Sequence, residues 1–253
     1  MPLCVDLFCG LGGWAEGFLA EGYDVIGFDI TRHVYGEEKY PAQLVLQDVL
    51  TIDGAQLRNA DIIVASPPCQ QYSWLAMPWS RSKTDGSQSA KALRHKWETE
   101  GPDNRLFDAC FRIQREASEA AGRPIPMVVE NVRGAQEWVG RPAKARYGSF
   151  YLWGDVEQVG NRIQAGADIG VFGRGLNVDI GVKIGGAKGG WFGDYKTREG
   201  RGLSEISCNS SKSAARKRAS AMIAKIPLEL ARYVAQAYYP ETGPASPVAL
   251  RRS

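Results

Sequence analysis

The stretch Val5-Asp6-Leu7-Phe8-Cys9-Gly10-Leu11-Gly12-Gly13 begins as an apolar strand and ends in a glycine-rich turn. A helical pattern at 14–21 follows it directly. Glycines in such a turn let the backbone approach a ligand closely, and the helix that follows offers unpaired N–H groups at its N-terminus. The glycine spacing alone is weak support for a nucleotide-type site, because tight turns give the same pattern. The order of strand, turn and helix predicts the first unit of an open α/β sheet.

Strand and helix patterns continue to alternate up to about residue 155. Apolar runs rich in β-branched and aromatic residues occur at 25–28, 44–46, 62–65, 127–129 and 149–153, and a long helical pattern occupies 103–121. This alternation predicts an α/β fold with a doubly wound, mostly parallel sheet. Glycine then becomes frequent and helical periodicity is lost. We expect a catalytic domain at 1–154, a small Gly-rich region at 155–211, a returning helix at 212–239 and a flexible tail at 240–253.

The composition argues against several classes of protein. Of the 253 residues, 44% are hydrophobic and 23% are charged, and the formal net charge is +3. No run approaches the ~20 apolar residues of a membrane span, so no membrane partner is expected. The cysteines form no Cys-x-x-Cys pair and the chain has only two histidines; these residues are Cys4, Cys9, Cys69, Cys110, Cys208, His33 and His95. We therefore expect reduced thiols in the cytoplasm, no metal site and no histidine-based triad.

Two acidic residues follow later strands of the predicted sheet. Asp29 ends the second strand, at about the distance from the glycines where nucleotide-binding folds place a carboxylate that holds ribose hydroxyls. Asp48 ends the third strand, where it could meet an adenine amino group. Each aspartate alone is more often a turn residue. The chain has neither a Gly-x-Gly-x-x-Gly spacing nor a Lys-Ser/Thr pair in this turn, so an adenosyl ligand without phosphates fits better.

Two further motifs stand at the ends of apolar strands. Ser66-Pro67-Pro68-Cys69-Gln70 follows the strand at 61–65, and Glu130-Asn131-Val132 closes the strand at 127–129. Prolines fix their own φ at about −65° and so hold a cysteine stiffly at a strand exit. A thiol in that position can act as a nucleophile. An isolated cysteine is usually a small buried hydrophobe and an isolated Glu-Asn pair a turn or cap, so the argument rests on the motifs occurring together.

Taken in order, these motifs resemble the DNA (cytosine-5) methyltransferase family. Asp6–Gly13 with Gly17 and Phe18 is similar to the first S-adenosylmethionine-binding motif of that family, Pro68-Cys69-Gln70 to its nucleophile motif, and Glu130-Asn131-Val132 to its glutamate motif. The resemblance implies a Rossmann-like methyltransferase fold. It also implies an enzyme that transfers a methyl group from S-adenosyl-L-methionine to carbon-5 of cytosine in DNA.

The resemblance implies a role for individual residues. The Cys69 thiolate would attack carbon-6 of a flipped-out cytosine, Glu130 would bond ring nitrogen-3 and the exocyclic amine, and Asn131 would position Pro68. Arg146 stands in place of an arginine that contacts the flipped base. The implied cofactor-binding residues are Asp6, Phe8, Gly10, Leu11, Gly12, Gly13, Asp29, Ile30, Asp48, Val49, Pro67 and Lys225. The implied DNA-binding residues are Gln70, Ser73, Arg81, Lys83, Arg201 and Arg216.

The resemblance also implies how DNA is held. The segment 81–105 would close over the flipped base, and 155–211 would recognise the target sequence. Double-stranded DNA is the expected partner, the protein is expected to be a monomer without a metal, and its expected location is the cytoplasm of a bacterial or phage-infected cell.

The family's final motif, Gly-Asn-x-Val-Pro, is represented here by Ile223-Ala224-Lys225-Ile226-Pro227. We expect the Lys225 side chain to point into solvent; the sharper hypothesis is that its charge accepts a cofactor with an added carboxylate. Three alternative functions stay open: a tRNA cytosine-5 methyltransferase, a variant that transfers a modified group, and a non-catalytic DNA-binding relative. A nicotinamide-dependent oxidoreductase is weaker, because it would leave Cys69 and Glu130 without a role.

Overall fold

The predicted apolar runs form the strands of one central sheet. The computed structural model describes residues 1–72, 101–159, 217–218, 221–222 and 224–240. The strands within these ranges are β1 (Leu3–Leu7), β2 (Asp24–Asp29), β3 (Val34–Tyr35), β4 (Glu38–Lys39), β5 (Gln43–Leu46), β6 (Ile62–Ala65), β7 (Met127–Asn131), β8 (Ala145–Tyr147) and β9 (Phe150–Gly154). Seven of them make the main sheet, in the order β5-β2-β1-β6-β7-β9-β8, and β3 and β4 form a separate antiparallel pair.

The main sheet is parallel over five neighbouring strands, β5-β2-β1-β6-β7. Strands β9 and β8 complete it as an antiparallel edge. The chain moves outward from β1 to β2 and β5 and then returns to β6 on the other side of β1. This reversal creates a topological switch point between β1 and β6, at whose carboxyl edge open α/β sheets bind ligands. The predicted doubly wound, mostly parallel α/β fold is confirmed.

Helices cover both faces of the sheet. They are α1 (Gly13–Ala20), α2 (Arg105–Ala121) and α3 (Leu228–Ala237) among the described residues. Successive strand residues point to opposite faces. Cys4, Ile62 and Val128 therefore pack with α1 and α3, whereas the adjacent Val5, Ile63 and Val129 pack with α2. Because both faces of the central strands are buried, these strands are nearly continuous apolar runs. None of the described helices is both long and apolar enough to cross a membrane.

The connection from β2 to β5 departs from the expected helical crossover. Residues 30–42, all of which are described, contain only the hairpin of β3 and β4. Tyr40 leaves this hairpin and packs against the main sheet, where a Cβ at Gly27 would lie 2.3 Å from the Tyr40 ring carbon Cζ. The next connection, to β6, consists of two 3-10 turns, Val49–Thr51 and Gly54–Leu57. A buried tyrosine thus occupies space beside the sheet that a crossover helix would otherwise cover.

The packed core continues for a few residues past the predicted domain boundary at residue 154. Val156 and Val159 are still buried in the core with α3. The Tyr233 hydroxyl donates to the Val159 carbonyl at 2.7 Å, and the Tyr238 hydroxyl donates to the Asp155 carbonyl. The main body therefore includes 155–159. Residues 160–211 of the predicted Gly-rich region and residues 241–253 of the predicted tail lie outside the described residues, so both segments stay predictions.

The contact between α1 and α3 leaves no room for a side chain at Gly17. A Cβ there would lie 2.3 Å from the Ala231 Cβ and 2.6 Å from the Arg232 backbone nitrogen. We expect Gly17→Ala to lower the free energy of unfolding by about 1–3 kcal/mol, because the two helices must move apart. Urea unfolding measures this loss. Adding Ala231→Gly removes one clashing atom and should restore part of it; equal stability of Gly17→Ala and wild type would contradict the packing.

Candidate active site

The three sequence motifs meet at the carboxyl edge of the sheet. Strand β1 lies beside β6, with Leu7 paired to Ala65, and β6 lies beside β7, with Ala65 paired to Val129. Parallel neighbours are separated by about 4.8 Å, so the segments that leave them are close in space. The glycine turn after β1, the cysteine loop after β6 and Glu130 near the end of β7 therefore share one site.

Backbone geometry explains the glycines of the turn after β1. Gly10 and Gly12 have φ values of 51° and 80°, in the left-handed region that favours glycine. A Cβ at Gly12 would also lie 2.4 Å from the Pro41 ring. Phe8 has a φ of 58°, and no other described non-glycine residue has a positive φ. A strained residue beside the switch point is typical of a functional turn.

Asp29 braces this turn from the neighbouring strand. Its Oδ2 accepts a hydrogen bond from the Gly10 N–H at 3.0 Å, and its Oδ1 accepts one from the Thr31 N–H at 3.0 Å. Asp48 starts the 3-10 turn after β5 and accepts the Leu50 N–H at 2.9 Å. The apolar side chain of Ile30, beside Asp29, is 72% exposed. The two carboxylates and an exposed apolar surface thus lie at the ends of adjacent strands, which is a suitable arrangement for an adenosyl group.

Several of the implied cofactor-binding residues lie beneath the site. Asp6 is 1% exposed and accepts a hydrogen bond from the Tyr40 hydroxyl at 3.3 Å. Burial raises the pKa of Asp6 well above its ordinary value. A Cβ at Gly13 would meet the Ile226 backbone at 2.4 Å, so this glycine permits close packing of the C-terminal segment. The remaining buried members of the set are Leu11, Gly12, Asp29, Val49 and Pro67. These residues support the shape of the turn from within the core.

The cysteine loop is fixed by β7. The Asn131 side-chain amide donates to the Pro67 carbonyl at 3.0 Å, and its Oδ1 accepts the Val132 N–H at 2.8 Å. The bond that Asn131 makes is therefore to Pro67, one residue before the predicted Pro68. Pro68 and Gln70 are exposed, and Cys69 begins the 3-10 turn Cys69–Gln71. The loop presents Cys69 and Gln70 at the rim of the site.

Cys69 and Glu130 interact electrostatically. Burial, and secondly the negative charge of Glu130, raise the pKa of the Cys69 thiol to about 11. Glu130 is itself 9% exposed. The thiol of the free protein is therefore protonated at neutral pH. A thiolate forms more readily when the charge of Glu130 is neutralised or when a cation approaches.

The raised pKa of Cys69 predicts an unusual pH dependence of its alkylation. Only the thiolate reacts with iodoacetamide, so the rate should rise about tenfold per pH unit from about pH 7 to pH 10. A free cysteine peptide, the control, reaches half its maximal rate at about pH 8.5 and levels off about one pH unit higher. Peptide mass spectrometry of Cys69 gives the rate at each pH. A plateau near the pH at which the peptide levels off would contradict the environment described for Cys69.

Arg146 lies at the edge of the sheet and not beside Glu130. It is exposed on β8 and is in register with Tyr151, which is in register with Asn131. Two strand spacings, about 10 Å, therefore separate the Arg146 and Asn131 backbones. Glu130 is in register with Leu152, so these two side chains share one face of the sheet. Arg146 is in register with Tyr151, the neighbour of Leu152, and therefore lies on the opposite face. The structure does not bring Arg146 into direct contact with the cysteine and glutamate.

The prediction that Lys225 points into solvent is wrong. Its Nζ lies 2.6 Å from Glu16 Oε1 in an ion pair, and its side chain is 16% exposed. The physical reason is the close packing of Ile226 against Gly13, which brings the segment before α3 over the first turn of α1. The hypothesis of a carboxylated cofactor requires the positive charge of Lys225 to face the added carboxylate, but in this structure that charge is paired with Glu16.

Sequence reasoning missed several residues that hold the site together. The Trp14 indole N–H donates to Ser66 Oγ at 3.0 Å, and the Tyr72 hydroxyl donates to Asn104 Oδ1 at 2.8 Å. A Cβ at Gly134 would lie 2.4 Å from the Tyr72 carbonyl, so the turns after Cys69 and Glu130 touch. Aromatic residues at these positions read as ordinary core residues, because their partners are distant in sequence.

The DNA side of the site is described only in part. Gln70 is exposed beside Cys69. The other implied DNA-binding residues, Ser73, Arg81, Lys83, Arg201 and Arg216, lie outside the described residues. Within the described ranges, no group of three or more His, Cys, Asp or Glu side chains is arranged to hold a metal ion.

Comparison with known families decides the classification. Residues 3–137, more than half of the chain, match the family described as C-5 cytosine-specific DNA methylase. The chain belongs to this family. The matched range contains the glycine turn, the cysteine loop and the Glu130 segment, so the DNA methylase family accounts for all three motifs.

The individual relatives that this chain matches are similar to it over only part of their length. The chain is 31% identical over 78 residues to the type II methyltransferase M.DdeI of Desulfomicrobium norvegicum, covering 27% of this chain and 19% of that protein. It is 28% identical over 133 residues to the type II methyltransferase M.FnuDI of Fusobacterium nucleatum, covering 51% of this chain and 32% of that protein. The aligned regions thus span at most 32% of the length of these two relatives.

A solved structure is also similar. It is a prophage-encoded candidate DNA modification methyltransferase of E. coli, with a TM-score of 0.35 and 23% identity over 55% of this chain and 35% of that chain.

Proposed function

We propose that this protein transfers a methyl group from S-adenosylmethionine to carbon-5 of cytosine in double-stranded DNA. The observation that carries the proposal is the meeting of Cys69 and Glu130 beside the strained glycine turn, at the switch point of the sheet. Membership of the C-5 cytosine-specific DNA methylase family supports the same reaction. The roles of the individual residues are part of the proposal.

The residues around the glycine turn fit an adenosyl cofactor without phosphates. Asp29 and Asp48 offer carboxylate oxygens, Ile30 offers an exposed apolar surface, and the turn of Gly10–Gly12 brings the backbone close. S-adenosylmethionine, when bound there, supplies an electrophilic methyl group. Each carboxylate oxygen of Asp29 has a lone pair that is not used by the backbone hydrogen bonds, and these lone pairs would accept hydrogen bonds from the ribose hydroxyls.

The chemistry of the base is assigned to Cys69 and Glu130. Cytosine carbon-5 is a poor nucleophile, and attack of the Cys69 sulfur on carbon-6 converts the ring into an enamine. A protonated Glu130 would donate a hydrogen bond to ring nitrogen-3, where negative charge develops, and accept one from the exocyclic amine. Neutralising Glu130 also removes the charge that raises the pKa of Cys69, so the two events favour each other.

The remaining steps transfer the methyl group and release the cysteine. Carbon-5 of the enamine would take up the methyl group that the cofactor, held by the residues around the glycine turn, would supply. A water molecule would then take the carbon-5 proton, the electrons of that bond would re-form the double bond between carbon-5 and carbon-6, and the bond between carbon-6 and sulfur would break to release the Cys69 thiolate. A stacked base cannot reach the loop, so the target cytosine must leave the duplex.

Mass spectrometry of nucleosides tests the proposed function. Unmethylated duplex DNA is incubated with purified protein and S-adenosylmethionine, and tRNA is treated in parallel. A gain of one methyl on deoxycytidine supports the proposal. Methylation of tRNA alone would replace it with an RNA methyltransferase, and no product on either substrate would favour a non-catalytic DNA-binding relative. A product heavier than methylcytosine would support transfer of a modified group.

A further inference from the structure

One side-chain hydrogen bond joins the cofactor side of the site to the nucleophile side. The Trp14 indole N–H donates to Ser66 Oγ at 3.0 Å. Trp14 is the second residue of α1 and directly follows the Gly12-Gly13 turn. Ser66 directly follows β6 and stands three residues before Cys69. The bond therefore spans the switch point between the two loops.

The position of Ser66 is fixed by its backbone as well. The Ser66 N–H donates to the Leu7 carbonyl at 3.2 Å, which continues the ladder between β1 and β6 by one residue. Ser66 is thus attached twice to the unit formed by β1, the glycine turn and α1. The second attachment, through Trp14, is the one that depends on a side chain and can be removed without changing the backbone.

The next residue of the loop is held from the other side. The Pro67 carbonyl accepts the Asn131 side-chain amide at 3.0 Å. Proline fixes φ at both Pro67 and Pro68, so few torsions remain between Ser66 and Cys69. The position of Cys69 relative to the glycine turn then depends on how firmly Ser66 is held.

Trp14 is well placed to hold Ser66 rigidly. It is 2% exposed and packs in the core with α3. Its ring is arranged edge to face with that of Phe18, with the two ring centroids 6.5 Å apart. A buried tryptophan usually needs a partner for its N–H. Here that partner is the cysteine loop, so the rigidity of the core is transmitted to the nucleophile.

We propose that Trp14 and Ser66 are a positioning pair that sets the distance between the bound methyl donor and the base activated by Cys69. The inference rests on the proposed function. Neither residue is assigned contact with the reacting atoms. Small displacements of reacting groups slow a reaction strongly, by as much as about 100-fold for an error of about 1 Å.

The test is a double-mutant cycle on the full chain. Trp14→Phe removes the indole N–H and keeps an aromatic ring, and Ser66→Ala removes the acceptor. We expect each variant to lower the single-turnover methylation rate at saturating DNA and cofactor about tenfold, and the double variant to lower it no further. Additive losses, in which the double variant is about 100-fold slower, would overturn the pairing.

Tyr23→Phe is the matched control for stability. The Tyr23 hydroxyl donates to the Ala235 carbonyl at 2.9 Å, so this variant also loses one buried aromatic donor, directly before β2 and away from the site. Thermal unfolding should show a loss of stability in both variants, larger in Trp14→Phe because the smaller ring also leaves a cavity. The methylation rate should fall only in Trp14→Phe. An equal fall in both variants would show that Trp14 has only a structural role.

Alkylation of Cys69 separates this inference from the proposed function. A wild type that methylates no DNA would refute the proposed function, and the pair can still be tested without substrate. The iodoacetamide reaction rate at Cys69, followed by peptide mass spectrometry, should rise about threefold in each single variant and no further in the double variant. An unchanged rate, or independent increases, would overturn the positioning pair.

Discussion

Replacing Cys69 by serine should reduce methyl transfer to duplex DNA about 1,000-fold or more, because a neutral hydroxyl is a far weaker nucleophile than a thiolate. The fold should survive, since Cys69 is only partly buried and sits in a loop held by Asn131 and the prolines. The measurement is the rate of methylcytosine formation by mass spectrometry, with circular dichroism and thermal unfolding recorded on the same preparations.

Cys110→Ala is the control for loss of a thiol. Cys110 is buried in α2 and contributes to the core. This variant should lose some stability and keep a methylation rate close to that of wild type wherever it is folded. A Cys69→Ser protein that still methylates DNA at a rate comparable to Cys110→Ala would show that Cys69 is not the nucleophile.

Glu130→Gln should change two properties of the site in opposite directions. Methyl transfer should fall about 100- to 1,000-fold, because a neutral amide cannot supply the proton that the developing negative charge on the base requires. Alkylation of Cys69 in the free protein should become faster, because the negative charge that raises its pKa is gone. Methylation kinetics and the pH profile of alkylation measure the two effects on one protein sample.

Opposite effects separate this explanation from simple damage to the site. A disordered loop would also speed alkylation, so Asn131→Ala is the informative comparison: it removes the bond to Pro67 and leaves Glu130 in place. Glu130→Gln should shift the midpoint of the alkylation profile to lower pH and leave the rate at high pH unchanged, whereas Asn131→Ala, which exposes the thiol, should also raise the rate at high pH. Glu137→Gln, which removes an exposed carboxylate on the 3-10 turn after the motif, should change neither property. Slower alkylation in Glu130→Gln would contradict the assigned interaction.

The sequence was informative about the sheet because its central strands are buried on both faces. Ile62–Ala65 and the first three residues of Met127–Asn131 appear as continuous apolar runs for that reason. The strands that were not predicted are short and lie at edges: β8 has exposed and half-buried residues, and β3 and β4 have two residues each. Such segments carry too little periodicity to be recognised, since their pairing depends on partners formed elsewhere.

The residues of the candidate site divide in the same way. Cys69, Glu130 and the glycine turn are recognisable because each stands at a strand end in a local motif. The contacts of Trp14 with Ser66 and of Lys225 with Glu16 join residues 52 and 209 positions apart. No local pattern encodes such pairs. This is why Trp14 was overlooked and why Lys225 was assigned to solvent.

Covalent trapping on fluorinated DNA tests whether Cys69 forms a bond to the target cytosine. A duplex in which cytosine carries fluorine at carbon-5 is incubated with the protein and S-adenosylmethionine, and the protein–DNA adduct is isolated under denaturing conditions. Fluorine cannot leave as a proton does, so the cysteine adduct should persist. We expect a stable adduct whose modified peptide contains Cys69, and we expect no adduct with Cys69→Ser. Methylation of ordinary DNA without any adduct, or an adduct on another residue, would contradict this expectation.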